Sequence, residues 1–310
     1  MRIGIDLGGT NIAAALIDEH RQILCRMNLP TLSERPYQEV LADIVTLVHG
    51  LLNMGNISLT DVKAIGIGSP GTPDKATGNI LYSNNLGWHD VPLLDTLRKE
   101  VPAPWYVDND ANCAALGEFL AGAAKGKHSA VMMTLGTGVG GGIVLDGHIY
   151  DGVNHAGAEI GHTVIQSGGV LCTCGRRGCL EAYASATALI RMAKEKAAEE
   201  PESLLAQAEK LDGLTIFTAA DQGDKAAQEV IDTYLFYVAE GITNVVNVFQ
   251  PDVVVIGGGI CGQGERILAP LRRQVAADVF CKQVSVPDIV IATLGNDAGL
   301  IGAAFLDEAL

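Results

Sequence analysis

Apolar positions in this chain fall in short runs closed by glycine or aspartate, the rhythm of buried strands. The first run, Arg2-Ile-Gly-Ile-Asp6-Leu, turns through Gly8-Gly9-Thr10-Asn11 into a second, Ile12 to Ile17, which ends at Asp18. Two apolar runs joined by so short a glycine-rich turn predict a β-hairpin. The pattern returns as Val131 to Leu135, the tip Gly136-Thr137-Gly138, the run Val139 to Leu145, and Asp146. Asp6 to Asp18 and Thr134 to Asp146 are both twelve residues apart, so the copies superpose without a gap at an offset of 128. Gly8 then pairs with Gly136, and Gly9-Thr10 with Thr137-Gly138. Such a repeat implies two structurally related halves facing each other.

Ala64 to Gly68 reads as another buried strand, followed by the loop Ser69 to Pro73 and a polar loop, Tyr82 to Trp88, that carries Asn84 and Asn85. Val91 to Glu100 is amphipathic and predicts a helix. Trp105 to Val107 is a short strand leading into Asp108-Asn109-Asp110, and Cys113 to Leu120 has helical composition, which sets Asp110 at a helix start. Asp there is a natural N-cap, and a strand end turning into a helix is also where ligands gather in α/β proteins. Thr187 to Ala198 and Glu202 to Leu211 predict helices joined by a solvated elbow, Glu199-Glu200-Pro201-Glu202. Lys225 to Phe249 repeats apolar residues at helical spacing and predicts one or two packed helices. Val253 to Ile256 is a buried strand running into Gly257-Gly258-Gly259 and a helix, and Asp297 to Leu310 predicts a last, small-residue helix.

Each glycine tip alone is a tight turn. Repeated, and joined by the third cluster at Gly257 to Gly259, the tips suit a polyphosphate, because glycine lets backbone N–H groups approach an anion. Neither tip is a Walker A loop, since no Gly-Lys-Ser/Thr follows, and neither opens a helix as a dinucleotide fingerprint requires.

Residues 159 to 181 concentrate a second chemistry. His162, Cys172, Cys174 and Cys179 make a complete tetrahedral zinc set, flanked by Glu159 and Glu181. With four protein ligands no position stays open for substrate, so the metal would be structural, holding the two carboxylates in place. The alternative is a disulfide with a spare thiol, or apolar packing. Seven cysteines is an odd count, the other four are scattered singly, and the amino terminus does not resemble a signal peptide. These features point to a reducing, cytoplasmic setting, where clustered thiols favour metal.

With 310 residues and 48% hydrophobic positions the chain has ample core for two domains. Its apolar runs are too short to cross a bilayer. A formal net charge of −15, with no basic run, disfavours nucleic acid as a partner.

Taken in order, Asp6-Leu-Gly-Gly-Thr-Asn11, Asp108-Asn-Asp110-Ala-Asn-Cys113, Gly136-Thr-Gly-Val-Gly-Gly141, Glu159-Ile-Gly-His162, the Cys172/Cys174/Cys179 knuckle with Glu181, and Pro251 to Gly259 resemble the ROK family (repressors, open reading frames and sugar kinases), particularly its bacterial glucokinases. The resemblance implies an actin and hexokinase type (ribonuclease H-like) α/β ATPase fold: two α/β domains around a cleft, usually in a homodimer. The small domain would comprise residues 1–108 plus the helix 297–310, and the large one residues 109–296 with the zinc knuckle 162–179. It further implies an ATP-dependent kinase acting on the 6-hydroxyl of a hexose, glucose first among them. Asp110 matches the general base. Glu159, Glu181 and His162 match sugar-orienting groups, as do Gly68, Asn85 and Asn109. Asp6 matches the residue near Mg²⁺, and Gly8, Gly9, Thr10, Asn11, Thr137, Gly138 and Gly258 match the nucleotide cradle.

The chain departs from the family pattern at Ala158, where glycine is common before the Glu, and at Ser167 to Leu171, where an approach containing proline is more usual. The alternatives are a kinase of fructose, mannose or an N-acetylhexosamine, a sugar-sensing regulator, and an actin-like filament ATPase. A regulator would carry an added helix-turn-helix before the first hairpin, whereas here a strand begins at Arg2. A filament ATPase would not need a zinc knuckle flanked by carboxylates.

Overall fold

The structure, a computed structural model, describes residues 1–309. Two compact units divide it: residues 1–132, 142–158 and 292–310 form the first, and residues 133–141 and 159–291 the second. The division differs from the boundary expected at residue 108. Residues 109–132, 142–158 and 292–296 belong with the first unit.

In the first unit β1 (Arg2–Leu7) and β2 (Asn11–Ile17) form the expected antiparallel hairpin, Arg2 opposite Ile17 and Leu7 opposite Ile12. β3 (Ile23–Pro30) extends it, with side chains alternating between half-buried and exposed as an edge strand should. α1 (Tyr37–Gly55) follows and buries Val40, Leu41, Ile44, Leu47, Val48 and Leu51, the spacing of one helix face. β4 (Ala64–Ser69) lies parallel to β1. Then come three short antiparallel strands, β5 (Thr72–Asp74), β6 (Asn79–Ser83) and β7 (Trp88–Val91). They shorten the two expected loops to Pro70–Gly71 and Asn84–Gly87. After α2 (Leu93–Glu100), β8 (Trp105–Asn109) completes a five-stranded sheet of order β3-β2-β1-β4-β8.

β8 runs directly into α3 (Asp110–Ala121), three residues earlier than composition suggested. The second repeat supplies β9 (Ser129–Leu135) and β10 (Val139–Leu145), followed by β11 (His148–Ile149). At the carboxyl end the expected single helix is two, α10 (Asp297–Ala304) and α11 (Leu306–Ala309), broken at Phe305, which leaves helical geometry; Leu310 lies outside the described residues. α10 presses its backbone onto the sheet because Gly4 and Gly66 carry no Cβ. A methyl there would strike the carbonyls of Leu300 and Ala303. Gly117 and Gly302 let α3 and α10 cross equally close. The opposite face carries the main apolar core, with α1 and α2 over Ile3, Ile5, Ile65 and Ile67.

In the second unit the knuckle leads to α4 (Glu181–Ala184) and α5 (Ala186–Glu199). The helix expected over 202–211 is a single turn, α6 (Leu204–Gln207), capped by Ser203. α7 (Gly213–Asp221), unforeseen, begins where the Asp212 side chain accepts from the amide of Thr215. α8 (Lys225–Phe249) is one continuous helix whose buried Val230, Ile231, Tyr234, Leu235, Val238 and Ile242 form the unit's spine. β12 (Val253–Gly257), α9 (Glu265–Asp278) and β13 (Asp288–Ile291) follow. The strand order β11-β10-β9-β12-β13 repeats that of the first sheet element for element. Among the described residues no helix is long and apolar enough to cross a membrane.

Candidate active site

In the first unit the tip of the β1–β2 hairpin is three residues long, closed by a bond from the Gly8 amide to the Asn11 carbonyl at 2.9 Å. Thr31 braces it, its hydroxyl on the Gly8 carbonyl at 2.6 Å and its amide on the Thr10 carbonyl at 2.9 Å. Gly9 packs on Asn85 closely enough that an added Cβ would stand 3.2 Å from the Asn85 carbonyl oxygen. The residues expected at the first phosphate tip and Asn85 are thus neighbours, with Thr10 and Asn11 exposed.

Asn109, not Asp110, is the N-cap of α3: its side-chain oxygen accepts from the amides of Ala111 and Asn112, and its amide nitrogen donates to the Gly71 carbonyl at 3.0 Å. Asp110 stands on the first helical turn beside Gly68, whose missing side chain leaves room for the Asp110 backbone, and its Oδ1 accepts from the Ala111 amide at 2.9 Å. Burial raises the Asp110 carboxyl above its usual range. Burial, and then the negative charge of Asp110, push Asp6 up to about 6. Two carboxyls thus share one desolvated neighbourhood and hold protons more tightly than in water, which suits a proton acceptor and a cation ligand.

Asp108 is 1% exposed. One of its oxygens accepts from the Asn109 amide at 2.7 Å and the Asn112 side chain at 2.9 Å, and the other pairs with Lys75 Nζ at 2.5 Å. Its role is to shape the turn.

In the second unit the β9–β10 tip is also three residues long, with the Gly136 amide on the Gly138 carbonyl at 3.0 Å. The start of α5 holds it: the Ala186 amide donates to the Gly136 carbonyl and the Thr187 hydroxyl to the Thr137 carbonyl, both at 2.8 Å. Gly258 has φ 99° and lies against the Leu135 backbone, so a larger residue would be both strained and obstructed there. Glu181 ties the tip to the knuckle. One carboxylate oxygen accepts from the Val139 amide at 3.1 Å and the other from the Thr173 hydroxyl at 2.7 Å.

His162 closes a single 3₁₀ turn that starts from Glu159. His162, Cys172, Cys174 and Cys179 bring their ligand atoms within 4.8 Å of one another. The Cys174 and Cys179 sulfurs are 3.7 Å apart, and Cys172 Sγ is 3.7 Å from His162 Nδ1. Zinc–sulfur bonds of about 2.3 Å at tetrahedral angles require sulfurs about 3.8 Å apart, so the cage has the right size. Burial first, then hydrogen bonds from the neighbouring thiols, push Cys179 up to about 12, while the Arg176 amide lowers Cys174. A cation bound among them would stabilise their thiolate forms.

Asp6, Gly8 to Asn11, Gly68, Asn85, Asn109 and Asp110 therefore lie in the first unit, and Thr137, Gly138, Glu159, His162, Glu181 and Gly258 in the second. Sequence reasoning passed over Thr31 and Thr173, which touch Gly8 and Glu181, and over Lys75, Asp151 and His155, which run on from Asp108; all stand outside every glycine or cysteine pattern.

The family model for the ROK family matches residues 2–309. The chain belongs to the ROK family. Among its relatives, the glucokinase of Halalkalibacterium halodurans is 41% identical over 98% of this chain and 94% of that protein, and the glucokinase of Thermotoga maritima 38% identical over 97% and 95%. Of solved structures, a ROK family glucokinase from Streptomyces griseus in complex with glucose and AMPPNP superposes on this ROK family member with a TM-score of 0.80 at 34% identity, over 98% of both chains. The ROK hexokinase of Thermus thermophilus gives 0.83 at 34%, over 98% of this chain and 97% of that one. The expected hexokinase-like α/β fold is thereby established.

Proposed function

We propose that this chain is an ATP-dependent kinase transferring the terminal phosphoryl group of ATP to the 6-hydroxyl of a hexose, with glucose as the sugar. The observation that carries this reading is Asp110: a buried carboxylate on the first turn of a helix that Asn109 caps, with Oδ1 held by the Ala111 amide at 2.9 Å and Oδ2 left for a substrate. Full-length likeness to glucokinases supports the same reaction.

Phosphoryl transfer asks mainly for positioning, charge neutralisation and an acceptor for the nucleophile's proton. Asp110 accepts the proton of the sugar hydroxyl, its raised affinity making it a better base than an exposed carboxylate. Glu159, Glu181 and His162 orient the sugar, with Gly68, Asn85 and Asn109 as further contacts. A carboxylate offers about four lone-pair sites, so Glu181 can hold Val139 and Thr173 and still accept from a hydroxyl. With Nδ1 toward the thiols, His162 keeps Nε2 for a second partner. Gly9, Thr10 and Asn11 on one tip, Thr137 and Gly138 on the other, and Gly258 line the phosphates, while Gly8 shapes the first tip by closing it through its own amide.

Asp6 would hold Mg²⁺, which neutralises phosphate charge when bound. His162, Cys172, Cys174 and Cys179 would hold Zn²⁺, which stiffens the segment between Glu159 and Glu181. The proposal extends to a homodimer acting in the cytoplasm.

ADP release measured over glucose, mannose, fructose and N-acetylhexosamines, with ATP and polyphosphate as donors, tests the reading. Glucose with ATP should give the highest kcat/KM. A preference of about tenfold or more for another hexose, the range one substituent contact can supply, would replace glucose. Xylose repressors are also relatives, at 29% identity for that of Bacillus subtilis, of which the chain covers 75%. Sugar binding with no turnover would favour a regulatory role.

A further inference from the structure

Four charged or titratable side chains of the first unit form a chain of contacts outside the groups assigned above. Lys75 Nζ pairs with Asp108 Oδ2 at 2.5 Å and also with Asp151 Oδ2, and His155 Nδ1 meets the same Asp151 oxygen at 2.9 Å. The side chains are 12% exposed at Lys75, 1% at Asp108 and 9% at Asp151, so the ammonium lies between two carboxylates almost out of water. Lys75 is itself presented by a tight turn. Asp74 accepts from the Ala76 amide at 3.0 Å and the Thr77 hydroxyl at 2.8 Å, which leaves the Asp74 carboxylate occupied and Lys75 facing inward.

The two carboxylates belong to segments with different destinations. Asp108 holds the Asn109 amide and the Asn112 side chain, and so sets the turn on which Asp110 stands. Asp151 opens the segment 151–158, folded back by bonds from the Gly157 amide to the Asp151 carbonyl at 2.7 Å and from the His155 amide to the Gly152 carbonyl at 3.2 Å. That segment leads along the chain into Glu159. It contains two non-glycine residues in the left-handed region, His155 at φ 56° and Ala158 at φ 62°. Conformations of this kind persist only where the surroundings over-determine them. The bond from His155 to Asp151, backed by Lys75, is such a restraint.

A buried ion pair adds little net stability over well-packed apolar residues, but removing one partner leaves an uncompensated charge that must move or take up a proton. What such a network supplies is geometry. We propose that Lys75 is a positioning residue for phosphoryl transfer, its ammonium bridging Asp108 and Asp151 so that the turn bearing Asp110 and the segment entering Glu159 are held together. The proposal rests on the kinase reading given above and adds to it a residue that touches neither substrate.

Lys75→Met keeps the length of the side chain and removes the charge. Misplacing a reacting group by about an ångström can cost up to roughly 100-fold in rate, so kcat for sugar phosphorylation should fall roughly 10- to 100-fold. KM for ATP should stay within about twofold, because the glycine tips are untouched. Lys75→Met/Asp151→Asn, which removes one of the two opposed carboxylates, should recover part of the lost kcat. Amide hydrogen exchange in full-length Lys75→Met should rise at residues 109–112 and at residues 151–158 while α8 stays protected. A purely structural lysine would lower thermal stability and leave kcat of the folded enzyme at the wild-type value; that result, or unchanged exchange in both segments, overturns the proposal. If the wild-type protein phosphorylates no sugar, the kinase reading fails by itself, and the exchange experiment still decides whether Lys75 holds the two segments.

Discussion

Asp6 lies one residue before the end of β1, and Thr134, its counterpart at the offset of 128, lies one residue before the end of β9. The two sheets share a strand order and a three-residue hairpin tip, yet their ends carry different chemistry. The first sheet brings together Asp6, Asp108 and Asp110; at the matching ends the second offers Thr134 on β9 and the apolar Val290 and Ile291 on β13. The braces differ as well. Thr31 and Asn85 support the first tip, whereas the start of α5 and the Glu181 carboxylate support the second. Under the proposed function the duplicated frame is divided, one copy for proton and cation chemistry and the other for a neutral backbone cradle tied to the thiol cluster.

The division is broken most directly at Asp110. Asp110→Asn, nearly isosteric but unable to accept a proton, should lower kcat by ~10²–10⁴, the usual contribution of a positioned base, with little change in sugar affinity. Asp108→Asn is the control, expected to act through the fold. Near-normal turnover in the first and abolished turnover in a folded second would show the wrong aspartate had been assigned.

In the second half, Cys174→Ser should reduce bound zinc from about one per chain, the stoichiometry of a four-ligand site, to near none. It should also expose residues 159–181 to proteolysis, since structural zinc contributes ~10–16 kcal/mol of apparent binding energy in small hosts. Metal analysis finding no zinc in active wild-type protein would remove that role.

Next in size, the tips themselves can be compared. In Gly138→Ala the new methyl would run into the Glu181 carboxylate, which Val139 and Thr173 hold in place. In Gly9→Ala the neighbour is the Asn85 carbonyl oxygen at 3.2 Å, which must give only by a few tenths of an ångström. Overpacking typically costs ~1–3 kcal/mol. Gly138→Ala should therefore show the lower melting temperature and the larger rise in KM for ATP, and equal effects would mean that Glu181 does not brace the second tip.

The carboxylate pair also predicts a pH dependence arising in the first half. Folding raises the Asp6 pKa from 3.8 to about 6, so the folded chain binds more protons across that interval. Asp6 thus destabilises the fold progressively as pH rises from about 4 to about 6, with no further change above. A cation must displace the same proton, so apparent Mg²⁺ affinity should rise through this range and level off above about 6. Asp6→Asn should abolish the slope in Mg²⁺ affinity and make the slope in stability shallower, since burial raises Asp110 and Asp108 as well; titration of Mg²⁺-dependent activity and of thermal stability reads them.

The smallest effect is expected at Ala158. A left-handed alanine costs roughly 1–2 kcal/mol relative to a glycine there. Ala158→Gly should therefore stabilise the protein by about 1 kcal/mol or less, since glycine also gains freedom in the unfolded chain. Destabilisation instead would mean that the backbone is not strained at φ 62°.

The chain's local patterns carried a good deal of this. Glycine spacing located both hairpins, placing the second tip and overextending the first by one residue, Asn11, which opens β2; helical periodicity located α8 over its whole length, and cysteine spacing assembled the four-ligand cage. These features depend on backbone sterics, side-chain period and ligand number, all written within a few residues of one another. Where a boundary depended on competition between a cap and a run of helix formers, pattern alone misplaced it: Ser203 and Asp212 split residues 202–221 into two helices, and the carboxyl-terminal helix breaks at Phe305. Only the folded chain assigned the N-cap to Asn109 and buried Asp110 on the first turn, set Thr31 and Thr187 on the two tips, turned both oxygens of Glu181 toward protein donors, and buried Lys75 between Asp108 and Asp151. Those contacts join residues tens of positions apart, and the energy of a buried charge is fixed by what surrounds it in space, which no stretch of sequence contains.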